Sequence, residues 1–509
     1  QDPSFCGRGR PLPLKLWPQH PVQGVARMAA NGVCPRANLQ AAPERDGSRS
    51  RMSMRPNKLF EPLSLPTVAV VGGGFAGLGA CRHLRKQFNV VLIDAKEYFE
   101  YYPGILRAYL HPSEHGKLTA LYQPACDGLE VRFIWGEVTL IDPGCKQIRV
   151  KCMARDQGKE SIMQYDYCII CSGSQYGLYM QSVQSASAPA ECLWYPTFLQ
   201  KTMESCTRWE GLNERFISGR RAHFEMELKV LQELEKQRST IVIVGAGFIG
   251  IEWATEVKWY LPGIEVVVVE ARSECVSVMP PKCRQYCQRY MEKHGIKTIY
   301  NYDYKSLRTS GDDRGSSNVK ELEKHGIKDV ARVYMAVGVR SLNQFLPAEC
   351  LDKMTYDEGS GDVTRGGWII TNKSMQVLFK GEKPWGNGCV FAAGNCCSVQ
   401  GMPCPKNSFP GEDMASVACH NITVLERRKN PKFARGCFSF CAPKKLKELR
   451  WNWGFGLCAT SLGPYDATFV AGSTEKPGSG YTVLTGCLAA YQKEFIRWSK
   501  VDECRNGWA

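Results

Sequence analysis

Two glycine fingerprints lie 173 residues apart in this chain, and each follows a short β-branched apolar run. The first reads Thr67-Val-Ala-Val-Val-Gly72-Gly73-Gly74-Phe75-Ala76-Gly77, and the second Thr240-Ile-Val-Ile-Val-Gly245-Ala-Gly247-Phe248-Ile249-Gly250. The first glycine of each permits a tight turn out of the strand. The second lets the backbone approach a pyrophosphate, and the third lets the following helix pack closely on the sheet. The helix N-terminus, opened by Phe75 and Ala76 or by Phe248 and Ile249, offers unpaired N–H groups and the positive end of its dipole to phosphates.

After each fingerprint a second apolar strand ends in a carboxylate: Val90-Val-Leu-Ile-Asp94 and Val266-Val-Val-Val-Glu270. Both acids lie roughly 20 residues beyond their glycines, where ribose recognition needs them. One fingerprint is a weak constraint. Two, each in strand–turn–helix context, predict two dinucleotides held face to face. That arrangement carries electrons from a nicotinamide to a flavin.

At 509 residues the chain can hold two or three domains with ample core. Its net charge of +15 favours anionic partners, such as cofactor phosphates or acidic lipid surfaces. No basic run is interleaved with aromatics, so nucleic acid is not expected. The 24 cysteines form neither a disulfide framework nor paired zinc knuckles, and no metal site is expected. Cys168-Ile-Ile-Cys171 lies in an apolar strand that turns the two thiols to opposite faces. Most cysteines read as small buried hydrophobes in a reducing compartment. No apolar run approaches the roughly 18 residues a membrane-spanning helix needs.

Residues 1–66 read as a leader: positions 1–60 carry eight Arg and two Lys against three acids, with scattered Pro, Gly and Ser. Either this is a transit-like extension, or translation starts at Met28 or Met52. Residues 67–238 form the first nucleotide-binding part with a linker, whose Phe224, Leu228, Leu231 and Leu234 have helical spacing. Residues 239–346 form the second unit. The first domain resumes over 347–436, so the second is inserted into it. Residues 437–509 form a C-terminal interface segment. The expected fold class is α/β, with two Rossmann-like domains and a membrane- or partner-docking tail.

In these motifs the chain resembles the two-dinucleotide-binding flavoproteins. Within them it is similar to the type II NADH dehydrogenases and the AIF-like, ferroptosis-suppressor type of NAD(P)H:quinone oxidoreductases. The resemblance rests on both fingerprints, on Tyr98-Phe-Glu-Tyr-Tyr102-Pro103-Gly-Ile-Leu-Arg107, on Cys171-Ser172-Gly173, on Glu252, on Ala336-Val-Gly338 and on Phe391-Ala-Ala-Gly394-Asn395. It implies FAD at the first fingerprint, with Asp94 on its adenosine ribose. Ser172, Gly173, Gly394 and Asn395 would approach the cofactor, with Tyr102 and Pro103 beside the ring. Val138 is a further candidate contact. NADH would bind the second fingerprint with Glu270 on its ribose, near Gly338. The resemblance places Glu252 near the nicotinamide–flavin junction and Lys406 close to the flavin. Asn395 stands where the family usually has Asp, but its amide oxygen can accept the same bond.

Glu270 would bond a ribose 2′-OH and repel a 2′-phosphate, which favours NADH over NADPH. Arg272 could instead clamp a phosphate. In the tail, Leu484, Leu488, Tyr491, Phe495 and Trp498 are expected to mark one helical face. That face could lie in a bilayer interface, with Lys493, Arg497 and Lys500 near anionic headgroups. The basic segment 443–453 is a second candidate.

The expected activity is transfer from NADH through FAD to a membrane quinone, without proton pumping, at the mitochondrial inner membrane. A plastid is the alternative location. A homodimer or larger complex stays open. Two other functions also stay open: a flavin-bearing or empty accessory subunit of a membrane assembly, and a soluble reductase feeding an iron–sulfur or haem protein.

Overall fold

The computed structural model describes residues 65–153, 158–176, 214–302, 322, 324–337, 339–353, 355–356, 363–402, 406, 408–430, 445–450, 456–472 and 480–506. The leader up to position 64, Gly338, and residues 443, 444 and 451–453 of the basic segment lie outside these residues.

The β-branched runs that precede the glycines form the central strands of two sheets. Thr67–Val71 sits between Asn89–Asp94 and Tyr167–Ile170, parallel to both. Val68, Ala69 and Val70 are fully buried, as a parallel strand covered on both faces requires. Arg132–Asp142 adds beyond Asn89–Asp94, and a meander of Gln147–Cys152 and Glu160–Gln164 extends that edge. The opposite edge is Val390–Ala392, parallel to Tyr167–Ile170. The chain therefore returns to its first sheet after completing the second, which is wholly parallel. In the second sheet Thr240–Val244 lies between Glu265–Val269 and Val330–Met335, and Lys297–Ile299 forms the edge.

Helix Phe75–Leu84 packs against helix Ser408–Lys429 across small residues. A Cβ on Gly394 would lie 3.2 Å from the Ala76 methyl, and one on Gly411 would lie 3.1 Å from the Gly394 Cα. That close crossing brings the end of strand Val390–Ala392 to the first glycine turn. Helix Ile217–Lys236 is the expected linker helix, with Phe224 and Leu231 fully buried.

The linker helix also buries a charged network. Arg220 grips Glu100 with two bonds of 3.1 and 3.2 Å, and donates to Glu214 at 2.9 Å and to the Tyr109 hydroxyl at 3.0 Å. His115 lies 3.3 Å from Glu100, and His223 contacts Glu214. On the same helix Glu227 accepts from Arg332 at 2.7 Å and from the Tyr334 hydroxyl at 2.8 Å, both on the second sheet. One helix thus ties the second sheet to the short strand Tyr98–Glu100, which follows the first acid strand. Burial alone would raise Glu100, but Arg220 and His115 outweigh it and hold the carboxyl well below its ordinary 4.5.

The last part of the chain is a three-stranded antiparallel sheet, Gly456–Ser461, Ala467–Gly472 and Tyr481–Thr485, followed by helix Cys487–Arg505. Leu484 belongs to the last strand, so the apolar helical face begins at Leu488.

Arg220→Met would leave Glu100 and Glu214 buried without their guanidinium. The expected cost is about 3–5 kcal/mol, read as a lower thermal unfolding midpoint at pH 7. Because the folded Glu100 pKa is depressed, its pairing stabilises fully above the ordinary 4.5 and is lost as pH falls further. The gap between wild type and variant should therefore narrow below that pH. A constant gap would remove Glu100 from the account.

Candidate active site

Gly72 and Gly245 have φ of +98° and +103°, the left-handed region that glycine enters without penalty. A Cβ on Gly77 would sit 1.8 Å from the Gly72 carbonyl oxygen, and one on Gly250 would sit 1.8 Å from that of Gly245. At both places the helix lies so close to the turn that no side chain fits. A Cβ on Gly74 or Gly247 would meet nothing within 4 Å. Both residues are helix N-caps without a side-chain cap, so the first-turn N–H groups face open space. A pyrophosphate fits that geometry at each turn.

The two acids repeat one pattern. Asp94 accepts from the Gly73 N–H at 2.6 Å and from the Lys96 N–H at 2.8 Å. Glu270 accepts from the Ala246 N–H at 2.7 Å and from the Arg272 N–H at 2.9 Å. Each carboxylate is fixed by the middle residue of its own glycine turn and by the N–H two residues further on. Each is therefore held beside the turn, where a ribose would follow the pyrophosphate. Burial raises the Asp94 carboxyl, and Lys96 with the two N–H groups opposes that rise. The Arg272 side chain donates to Ser277, so in this structure it is engaged on its own loop.

Three strand ends meet between the two sheets. Ser174–Tyr176 pairs antiparallel with Val339–Ser341. The Ser172 hydroxyl donates to the Leu342 carbonyl at 2.5 Å, and the Leu342 N–H donates to the Gly173 carbonyl at 3.2 Å. The Ser341 hydroxyl donates to the Cys396 carbonyl at 2.7 Å. Ser172 and Gly173 are thereby brought to Gly394 and Asn395. Gly173 and Gly394 have φ of +76° and +87°, and Asn395 is half-buried. Lys406 approaches the same point: its Nζ donates to the Cys397 carbonyl and lies 4.1 Å above the Trp368 ring.

Sequence reading did not single out the vicinal thiols here. The Cys397 thiol, by donating to Cys396, draws the Cys396 thiol below its ordinary value against the effect of burial. The sole sequence signal was the adjacent pair itself.

Tyr102 is 42% exposed and its hydroxyl accepts from Lys96 Nζ at 3.0 Å, while Pro103 opens a short turn beside it. Val138 is buried in the long strand Arg132–Asp142, opposite Val150.

Glu252 lies two residues beyond Gly250 on helix Phe248–Tyr260 and is buried. It accepts from the Ser461 N–H at 2.9 Å and from Lys493 Nζ, which also bonds the Ser461 hydroxyl at 2.7 Å. Its partners thus come from the C-terminal sheet and helix.

This corrects the expectation that the tail cations face headgroups. Arg497 donates to the Lys117 carbonyl at 2.6 Å, and Lys500 pairs with Glu412 at 2.7 Å. These side chains point inward because the body offers them carboxylates and open carbonyls. The outward face is the apolar one. Leu488, Tyr491, Phe495 and Trp498 are 70, 75, 54 and 55% exposed. Among the described residues no helix is long and apolar enough to cross a membrane.

The family model described as pyridine nucleotide-disulphide oxidoreductase matches residues 66–419. Ferroptosis suppressor protein 1 of Taeniopygia guttata is 24% identical over 363 residues, spanning 70% of this chain and 79% of that protein. The sulfide:quinone oxidoreductase structure from Aquifex aeolicus has a TM-score of 0.60 at 16% identity, covering 87% of this chain and 92% of that one. NDH2 from Plasmodium falciparum, in complex with NADH, has a TM-score of 0.53 at 11% identity, covering 87% and 96%. At these identities the two structures show a shared fold.

The glycines separate packing from ligand binding. Gly250→Ala should lower the unfolding temperature, because its Cβ meets the Gly245 carbonyl. Gly247→Ala should leave that temperature unchanged and weaken dinucleotide binding by about tenfold, worth about 1.4 kcal/mol. Thermal scans with and without NADH check both. Equal destabilisation by the two variants would contradict the assignment.

Proposed function

The chain belongs to the pyridine nucleotide-disulphide oxidoreductase family, which comprises flavin-dependent NAD(P)H oxidoreductases, and from that premise we propose that it is an FAD-dependent NADH:quinone oxidoreductase working at a membrane surface. The observation that carries this reading is the pair of matched cradles. Each has an open helix N-terminus and a carboxylate tied to its own glycine turn. The first cradle, with Asp94, Ser172, Gly173 and Asn395, is proposed for FAD. The second, with Glu270, is proposed for NADH. When bound, the flavin supplies two-electron chemistry between nicotinamide and acceptor.

The protein's part is to bind, orient and exclude water. Glu270 offers acceptor oxygens suited to two ribose hydroxyls and unsuited to a 2′-phosphate. Glu252 is proposed to orient the nicotinamide end, with Lys493 and Ser461 fixing its carboxylate. Lys406 places a positive charge where the strand ends converge, suited to negative charge on a reduced ring.

The acceptor is proposed from the tail. Four large apolar side chains on one exposed helical face suit insertion into a bilayer interface, where an apolar quinone resides. The mitochondrial inner membrane is the proposed surface, because NADH and ubiquinone meet there.

Two measurements test this reading. Glu252→Gln should slow anaerobic flavin reduction by NADH about tenfold or more, a barrier increase of at least about 1.4 kcal/mol. An unchanged rate removes Glu252 from the reaction. Tyr491→Glu with Trp498→Glu should abolish NADH oxidation by a long-chain quinone in liposomes while sparing a water-soluble short-chain quinone. Equal loss with both quinones would contradict membrane docking through this helix.

A further inference from the structure

A cavity of about 400 Å³ opens where helices Phe248–Tyr260 and Pro281–Lys293 end. It is separate from the dinucleotide cradles. Trp259 lies 11 residues along its helix from Phe248, which places it roughly 16 Å from the glycine turn at 1.5 Å per residue. The turn between strands Gly456–Ser461 and Ala467–Gly472 closes the other side.

The walls are aromatic. Trp259 and Tyr465 meet edge to face at 5.6 Å and are 44 and 70% exposed. Tyr290 stacks on His294 at 4.2 Å. The two rings touch only edge to face and both stay exposed, so a planar face remains open on which a third ring can stack.

The rim is charged. Arg289 and Lys293 lie on one helix face, one turn apart, and both are exposed. Opposite them, Asp466 accepts from the Tyr286 hydroxyl at 3.1 Å. Burial lowers His294, Lys293 lowers it further, and the ring is neutral at pH 7. Burial pushes the Tyr286 and Tyr290 phenols up to about 12, so both keep their protons. Two cations and one carboxylate leave a balance of one positive charge. The volume falls in the range of about 300–1,000 Å³ typical of small-molecule sites.

We propose that this cavity binds a planar aromatic monoanion, its ring stacked on the exposed face of Trp259 beside Tyr465 and its acid group on Arg289 and Lys293. The aromatic faces supply stacking, and the cations supply charge-assisted hydrogen bonds. The cavity lies apart from both dinucleotide cradles, so occupancy is read without NADH or quinone.

Isothermal titration of the full-length protein with 1-naphthoate is the test, with neutral 1-naphthol as the uncharged probe of equal shape. The expected result is one saturable site at which naphthoate binds at least about tenfold tighter than naphthol. Trp259→Leu should weaken naphthoate by at least about tenfold, with flavin content and unfolding temperature unchanged. Arg289→Gln combined with Lys293→Gln should bring naphthoate down to the affinity of naphthol. Absence of a saturable site, equal affinity for the two probes, or naphthoate binding that survives Trp259→Leu and the double variant alike would each overturn the proposal.

Discussion

The contact between Gly77 and the Gly72 carbonyl, repeated between Gly250 and Gly245, sets the rest of the structure. A helix can come that close to a turn only if neither partner carries a side chain. The closeness fixes the helix against its strand and aims its first-turn N–H groups at the opening beside Gly74 or Gly247. It also places the turn within reach of the carboxylate on the neighbouring strand, so Asp94 and Glu270 are anchored by the motif they serve.

Two buried polar connections hold the cradles in relation to each other. Arg220, with Glu100 and Glu214, ties the linker helix to the short strand Tyr98–Glu100 that follows the first acid strand, and Glu227 on the same helix reaches Arg332 on the second sheet. Arg107 donates to Glu256 at 2.7 Å, joining the segment after Tyr102 to the second fingerprint helix. Buried ion pairs gain little net stability but penalise any arrangement that separates them. That suits the proposed arrangement, in which two dinucleotides would meet at one junction. The C-terminal helix joins the same frame through Lys493 and Lys500, which frees its apolar face.

The sequence made the local features legible and left the long-range ones hidden. Both fingerprint strands, both acids and the linker helix follow from patterns within a few residues. The C-terminal sheet does not. Gly456–Ser461 and Ala467–Gly472 are rich in small residues and lack the alternation of a half-buried strand. The tail cations were misplaced for a related reason. Amphipathic spacing says that two faces differ, while the direction each face points depends on partners far along the chain. Glu252 is 241 residues from Lys493. The cavity at Trp259 and Tyr465 likewise exists only once distant segments meet.

The most direct test of the central claim mixes the purified protein anaerobically with NADH while following its flavin absorbance. Matched cradles with an acid suited to a free ribose predict stoichiometric FAD, rapid bleaching by NADH, slow bleaching by NADPH, and recovery of colour on adding a short-chain quinone. A protein that binds flavin but does not bleach, or one that purifies without flavin, would contradict the account.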